Sequence, residues 1–296
     1  MIYGVIPARY GSTRLPGKML LEVEGKPVLW HTWNRASKAA TLDRLVIAAG
    51  DEIIAQAARS WGAEVVETFE ECQSGSDRVW QAYEKVQNGE VQADALVRHS
   101  SARAIGADEG VRLADIIINI QGDEVQLDPM TIDAVVEKLL ADPEAGVGTA
   151  AAPIADEADY YGDAIVKVVL DANDRALYFS RSPIPYGLNL KSQISNLKSY
   201  RHIGIYAYRQ EALERFVSLP PSPLELSERL EQLRLVEQGV RYCVAIVEHA
   251  GVEVNTAEDL AKVRGETSVV SPNYLVGFKR LPRRSGFQPD TISFFF

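Results

Sequence analysis

Short apolar runs alternate with stretches of helical spacing through residues 1–122. Residues 2–6 (IYGVI), 44–50 (RLVIAAG), 63–67 (AEVVE) and 114–122 (ADIIINIQG) are predicted as strands. The last is apolar enough to be buried on both faces. Residues 26–39, 51–62 and 74–86 are predicted as helices; Val28, Leu29, Trp33 and Ala36 form one stripe of the first. Asp51 is a plausible N-cap of the second and Gly62 its stop. This rhythm predicts an α/β fold with a doubly wound, parallel sheet.

The pattern after residue 160 is mixed. Residues 164–171, 176–181, 201–209 and 241–247 read as strands, and the partial alternation of 201–209 suggests an antiparallel edge. Residues 222–239 read as the best helix of the chain, with Leu224, Leu230, Leu233 and Val236 apolar and Gly239 as its stop. Residues 256–266 form a helix opened by a Thr256–Asp259 capping box. Two segments break the scheme. Residues 87–113 are an atypical, weakly patterned insertion, and residues 267–296 an irregular tail ending in Phe294, Phe295 and Phe296.

Composition narrows the function. The chain has 296 residues, 46% hydrophobic and 24% charged, with a formal net charge of −10. That balance disfavours nucleic acid and anionic membrane surfaces as partners. No apolar run reaches the roughly 20 residues of a membrane helix, and no leader pattern opens the chain. The expectation is a soluble, cytoplasmic protein. Cys72 and Cys243 are the only cysteines, too few for a disulfide framework, and are expected to be buried thiols.

One segment reverses the global charge. Residues 6–20, IPARYGSTRLPGKML, gather Arg9, Arg14 and Lys18 around Gly11, Pro16 and Gly17, and no acid precedes Glu22. A loop between the first strand and first helix lies at the carboxyl end of the sheet, where α/β proteins bind ligands. Glycines admit phosphate to the backbone, and three cations neutralise much of a triphosphate. The loop is not a Walker A motif. Five residues, not four, separate Gly11 from Gly17, and Met19 stands where a magnesium-binding hydroxyl would follow Lys18. A G-x-G-x-x-G pattern is also missing, which disfavours a dinucleotide dehydrogenase. Asp123 ends the buried strand in QGDE, a position suited to a hard cation, although taken alone a turn Asp is the commoner case.

Several motifs together identify a likeness. IPARYGSTRLPGK, QSGSDRV (73–79), NIQGDE (119–124), ALYFSRSPIP (176–185), RHIGIYAYR (201–209), SPLELSERLEQLR (222–234) and VNTAEDL (254–260) occur in that order. The chain resembles the 3-deoxy-manno-octulosonate (Kdo) cytidylyltransferases, the CMP-Kdo synthetases, over roughly residues 2–266. The resemblance implies a Rossmann-like, mixed but mostly parallel sheet of the nucleotide-diphospho-sugar transferase type. It implies a single domain over 1–266, with a CTP-binding half (1–153) and a smaller sugar-binding and dimerisation half (154–266).

It also implies roles. Arg9, Arg14, Lys18 and Asp123 are the expected catalytic residues. CTP, the co-substrate, is expected to meet Pro7, Ala8, Arg9, Ser12, Arg14, Lys18, Gln73, Ser74, Gly75, Arg78 and Gln121. Arg181, His202, Tyr206, Glu231 and Gln232 are expected to bind the acid sugar, although alone a strand Tyr is usually packing and a helix Glu solvated. Asp123 and position 255 are the expected Mg²⁺ ligands. Two positions depart from the family pattern: Ser76 replaces a Thr, and Asn255 replaces an Asp. Asn255 offers a neutral carbonyl oxygen, and Glu253, on the same face of an extended segment, is a candidate to compensate the lost charge. The implied reaction joins CTP and Kdo into CMP-Kdo and pyrophosphate, for lipopolysaccharide biosynthesis, in a homodimer. An 8-amino analogue, sialic acid, or a catalytically weakened CTP-binding role are the alternatives.

Overall fold

The computed structural model describes residues 1–12, 15–68, 72–91, 114–154, 157–186 and 199–265. The first half comprises β1 (Ile2–Ala8), a 3-10 turn (Lys18–Leu20), β2 (Glu22–Val23), β3 (Lys26–Pro27), α1 (Val28–Ala36), β4 (Arg44–Ala49), α2 (Glu52–Ser60), β5 (Glu64–Glu67), α3 (Gly75–Gln87) and β6 (Ile116–Ile120). Then follow α4 (Pro129–Ala141), β7 (Val147–Pro153), α5 (Glu157–Tyr161), β8 (Lys167–Leu170), β9 (Ala176–Ser180) and β10 (Ser199–Arg209). The last elements are α6 (Gln210–Ser218), α7 (Pro223–Glu228), α8 (Leu233–Glu237), β11 (Tyr242–Ile246) and α9 (Ala257–Val263). Residues 92–113 and 267–296, read above as part of an insertion and as a tail, lie outside the described residues, as does Arg14.

The main sheet runs β11-β7-β10-β6-β1-β4-β5, and β8 and β9 extend from β10. The pairs β1–β4, β1–β6, β4–β5 and β7–β11 are parallel. The expected α/β class, mixed and mostly parallel, is what forms. The strand over 201–209 is antiparallel, but it is not an edge: β10 lies between β6 and β7 and pairs with both. Its polar residues mislead because they face a cavity rather than bulk solvent.

Alternation within the strands divides the core. Ile6, Ala8, Ile47, Ile116, Ile118 and Ile120 pack under α1, α2 and α4 on one face. Tyr3, Val5, Val46 and Ile117 pack under α3, α6 and α8 on the other. Every residue of β6 is buried, as its continuous apolar run requires. Local chemistry sets the helix starts. Asp51 Oδ1 accepts from Ile54 N at 3.0 Å, and Ser74 and Thr256 each form a complete capping box, with Asp77 and Asp259.

The predicted helix over 222–239 is not continuous. It is α7 and α8, separated by Arg229 in the left-handed region at φ 56°. A buried ion pair fixes the break. Arg234 Nε and Nη2 donate to Glu225 Oε2 and Oε1 at 2.7 and 2.6 Å, and Arg234 Nη1 donates to the carbonyls of Phe216 and Leu219. The guanidinium stacks on Phe216, 4.2 Å from its ring centroid. Leu, Glu and Gln spacing hides a break of this kind, because the deciding contact is tertiary.

Candidate active site

β1 delivers the cationic loop to the carboxyl end of the sheet. Gly17 closes the loop at φ 67°, and a Cβ there would lie 3.2 Å from the Tyr10 ring, so glycine is required. Gly17 N donates to Tyr10 O at 3.2 Å, and Tyr10 N donates to Asp51 Oδ2 at 2.6 Å. Asp51 thus caps α2 and anchors the loop with one carboxylate. From the opposite wall, α3 begins beside the loop, and Ser74 and Gly75 line the cleft between them. The positive end of a 13-residue helix therefore lies at that wall. Arg78, in its first turn, is buried and donates to Thr68 Oγ1 at 2.5 Å. Its guanidinium fills the space a Cβ at Gly50 would need, 2.6 Å from Nη1.

The resulting cleft has a volume of about 300 Å³. It brings together Pro7, Ala8, Arg9, Ser12, Lys18, Gln73, Ser74, Gly75, Arg78, Gln121, Asp123 and Asn255. These are all the residues expected around nucleotide and metal except Arg14. Cys72 also lines the cleft and is half-buried, not the buried structural thiol expected; Cys243 is fully buried.

At the floor of the cleft, Lys18 Nζ donates to Asp123 Oδ2 and lies 3.4 Å from Asn255 Oδ1. Two oxygens from distant segments converge on one positive charge. Carboxylate and amide oxygens of this kind suit a hard cation that takes its remaining ligands from phosphate. Glu253 does not join them. Its Oε2 accepts from Asn255 Nδ2 at 2.9 Å, so it turns the amide with Oδ1 toward Lys18. Burial, with the charges of Glu253 and Asp123 beside it, pushes the Glu124 carboxyl well above the usual carboxylate range. Glu253 shares the face of Asn255, as expected, and in this structure its carboxylate orients the Asn255 amide.

A second cavity of about 750 Å³ opens beside the first. The two share the wall formed by Gly75, Gln121, Asp123, Glu231 and Asn255. All five residues expected around a sugar acid line it: Arg181, His202, Tyr206, Glu231 and Gln232. Arg181 is held by two backbone carbonyls, Nε to Glu228 O at 3.2 Å and Nη1 to Asp163 O at 3.0 Å. Among the described residues no carboxylate pairs with it, so its charge is available to an anion. Gln232 is 3% exposed, and among the described residues its Nε2 has no hydrogen-bond partner. Such a donor is costly unless a ligand accepts from it. The Tyr206 hydroxyl stays protonated because burial raises it well above the usual phenol range. Burial also raises Glu231 above the usual carboxylate range: the cavity leaves it accessible while protein surrounds it.

The break between α7 and α8 places Glu231 and Gln232. Sequence reading set both in mid-helix; they lie in the turn after Arg229, where their side chains reach the cavity. Ser76 links the two sides, accepting from Asn119 Nδ2 and donating to Glu231 Oε2, each at 3.4 Å. Arg201, Asn119 and Tyr208 also line this cavity and were missed. Asn119 carried the signal: an amide inside an otherwise apolar buried strand needs a polar partner. Among the described residues no helix is long and apolar enough to cross a membrane.

A sheet whose strand ends join a cationic, glycine-bearing cleft to a cavity of hydrogen-bonding groups defines a nucleotidyltransferase. Residues 3–246 match the family model described as "Cytidylyltransferase". Among the relatives, the 3-deoxy-manno-octulosonate cytidylyltransferase of Elusimicrobium minutum is 42% identical over 260 residues, covering 88% of this chain and 95% of that one. The enzyme of the same name from Rhodospirillum rubrum is 41% identical over 265 residues, covering 88% and 93%. A solved structure of CMP:2-keto-3-deoxy-manno-octonic acid synthetase complexed with CTP superposes with a TM-score of 0.74 at 35% identity, over 89% of this chain and 97% of that one. The chain belongs to the 3-deoxy-manno-octulosonate cytidylyltransferase family. A 4-diphosphocytidyl-2C-methyl-D-erythritol synthase, 14% identical with a TM-score of 0.55 over 90% of this chain and 97% of that one, shares the fold.

Proposed function

We propose that the protein transfers CMP from CTP to Kdo, giving CMP-Kdo and pyrophosphate. The observation that carries this reading is the common wall: a phosphate-suited cleft and a hydroxyl- and carboxylate-suited cavity meet at Asp123, Gln121 and Glu231. Arg9, Arg14 and Lys18 hold the triphosphate, with Pro7, Ala8, Ser12 and the α3 N-terminus shaping its path. Arg181 receives the sugar carboxylate in its guanidinium fork. Gln232 and Tyr206 donate to sugar hydroxyls, and Glu231 and His202 face others. The anomeric hydroxyl attacks the α-phosphorus in line. A new O–P bond forms as the hydroxyl proton is released to solvent, the α–β phosphoanhydride breaks, and pyrophosphate leaves with the bonding pair. The chain contributes chiefly position and charge neutralisation.

Asp123 and Asn255 would hold Mg²⁺, which supplies charge neutralisation at the α-phosphate when bound. With the amide oriented by Glu253, an Asp at 255 would add charge at the metal but lose the Nδ2 donor. Asn255→Asp is expected to lower the metal concentration for half-maximal binding, read by paramagnetic relaxation for Mn²⁺ or calorimetry for Mg²⁺; no change would show that the lost charge does not matter. The homodimer and the cytoplasmic placement belong to the same reading, and light scattering checks the former. The test of the reaction follows pyrophosphate from CTP and magnesium with Kdo, its 8-amino analogue and sialic acid. Kdo is expected to give the highest kcat/KM. Preference for another acid moves the specificity, and no release with any acid favours a CTP-binding protein.

A further inference from the structure

β7 and β10 are neighbours, and their register jumps between Ile203, opposite Ala150, and Tyr206, opposite Thr149. β10 advances three residues while β7 advances one. The two extra residues, Gly204 and Ile205, preserve parity, so His202 and Tyr206 stay on the cavity face with ring centroids 5.4 Å apart. The bulge also leaves carbonyls pointing inward. Those of Ile205 and Ile203 lie 2.7 and 3.4 Å from Thr149 Oγ1, and Thr149 is wholly buried.

A hydroxyl has one proton to donate. Thr149 gives it to Ile205 O, the nearer carbonyl. Its other close neighbour is His202 Nε2 at 2.9 Å. Were Nε2 bare, two acceptors would compete for one proton, and one of the two contacts would set lone pair against lone pair. The network closes only if Nε2 carries a hydrogen and donates to Thr149. Burial drives His202 down to about 3, so the ring is neutral and its second nitrogen is bare. Among the described residues Nδ1 has no protein partner, and His202 lines the sugar-side cavity. The donors there, Arg181, Tyr206 and Gln232, need acceptors among them if sugar hydroxyls are to be bound through their protons.

We propose that Thr149 is a positioning residue: its hydroxyl fixes His202 as the Nε2–H tautomer and leaves Nδ1 as an acceptor for a hydroxyl of the acid sugar. The choice of ligand rests on the function proposed above; the tautomer does not.

The experiment is a long-range proton–nitrogen correlation of ¹⁵N-histidine-labelled protein, in which only four histidines contribute. In the wild type, His202 is expected to show a pyridine-type Nδ1 and a pyrrole-type Nε2. Thr149→Val removes the acceptor and is expected to move the ring toward Nδ1–H. It should raise the KM for the acid sugar about tenfold, the worth of one neutral hydrogen bond, with kcat and the KM for CTP within about twofold of wild type. Thr149→Ser keeps the hydroxyl and should retain the wild-type spectrum and KM. A pyrrole-type Nδ1 in the wild type, or an unshifted tautomer in Thr149→Val, overturns the assignment of Thr149; if Thr149→Val does not fold, the wild-type and Thr149→Ser spectra decide. An unchanged sugar KM in a shifted Thr149→Val overturns the acceptor role of Nδ1. Failure of all acid sugars as substrates, with the tautomer as stated, removes the ligand and leaves the Thr149 contact standing.

Discussion

The nucleotide end and the sugar end of the site are built by opposite means. The nucleotide cleft comes mainly from short local segments near the ends of parallel strands: residues 7–12, 18–19, 72–78 and 121–123. Its charge is concentrated, with Lys18 against Asp123 and Asn255 at the floor. The sugar cavity is assembled from Arg181 just past β9, from β10 and from the turn between α7 and α8, among other segments. There the hydrogen-bonding groups of Tyr206, His202 and Gln232 stand beside the Arg181 charge, and three tertiary devices shape the wall: a bulge in β10, a left-handed Arg229, and the buried Glu225–Arg234 pair. The lesson is that charge neutralisation needs a dense local motif, whereas recognition of hydroxyls needs a shaped wall.

This contrast can be broken most forcefully at Lys18. Lys18→Ala is expected to lower kcat about 100-fold or more, because a positioned charge facing the developing negative charge is lost. Circular dichroism should be unchanged, and near-normal pyrophosphate release would remove Lys18 from the machinery. Next in size, Glu225→Ala leaves the Arg234 guanidinium buried and unpaired, and should cost about 3 kcal/mol in urea unfolding. The sugar KM should rise with it and the CTP KM should not; a parallel rise in both would mean that the two ends are not separable. Gln232→Leu sharpens the comparison further. It removes a buried donor without a partner among the described residues, so stability should hold or increase, yet the sugar KM should rise about tenfold. Loss of stability with an unchanged KM would make Gln232 a structural residue.

The smallest effect is a pH slope. The His202 pKa is lowered to about 3 in the folded protein by burial. The unfolded chain therefore binds the extra proton first as pH falls from the usual histidine value near 6.5. Stability from this group is full above that pH and declines toward pH 3, by at most about 1.4 kcal/mol per pH unit. Unfolding free energies of wild type and His202→Asn should diverge by about 2 kcal/mol between pH 7 and 5. Parallel slopes would mean that His202 is not buried as a neutral ring.

The same contrast explains how much was legible in the sequence. The α/β class, the early strands and helices and the caps at Asp51, Ser74 and Thr256 are local, and pattern alone reveals them. The cationic loop was equally legible, because one contiguous motif carries both its glycines and its charges. The split of residues 222–239 was not, since the helical spacing continues across Arg229 and the Glu225–Arg234 contact is decided by tertiary packing. The interior position of β10 was hidden because its polar residues face a cavity. Arg201 and Thr149 carried no signal of their own: a Thr among small residues in a buried strand looks like core, and only the bulge opposite gives its hydroxyl work. Glu253 was placed on the correct face, but its hydrogen bond to Asn255 Nδ2 needed coordinates.

The central claim is that the cleft and the cavity are two halves of one site, meeting where the sugar hydroxyl can reach the α-phosphorus directly. Stereochemistry at that phosphorus tests it most directly. The protein is supplied with one diastereomer of CTP bearing sulfur on the α-phosphate, together with Kdo and magnesium, and the configuration of the thio-CMP-Kdo is determined by ³¹P NMR. A single in-line displacement predicts inversion. Retention would mean two displacements through a covalent cytidylyl-protein, and would contradict a joined site.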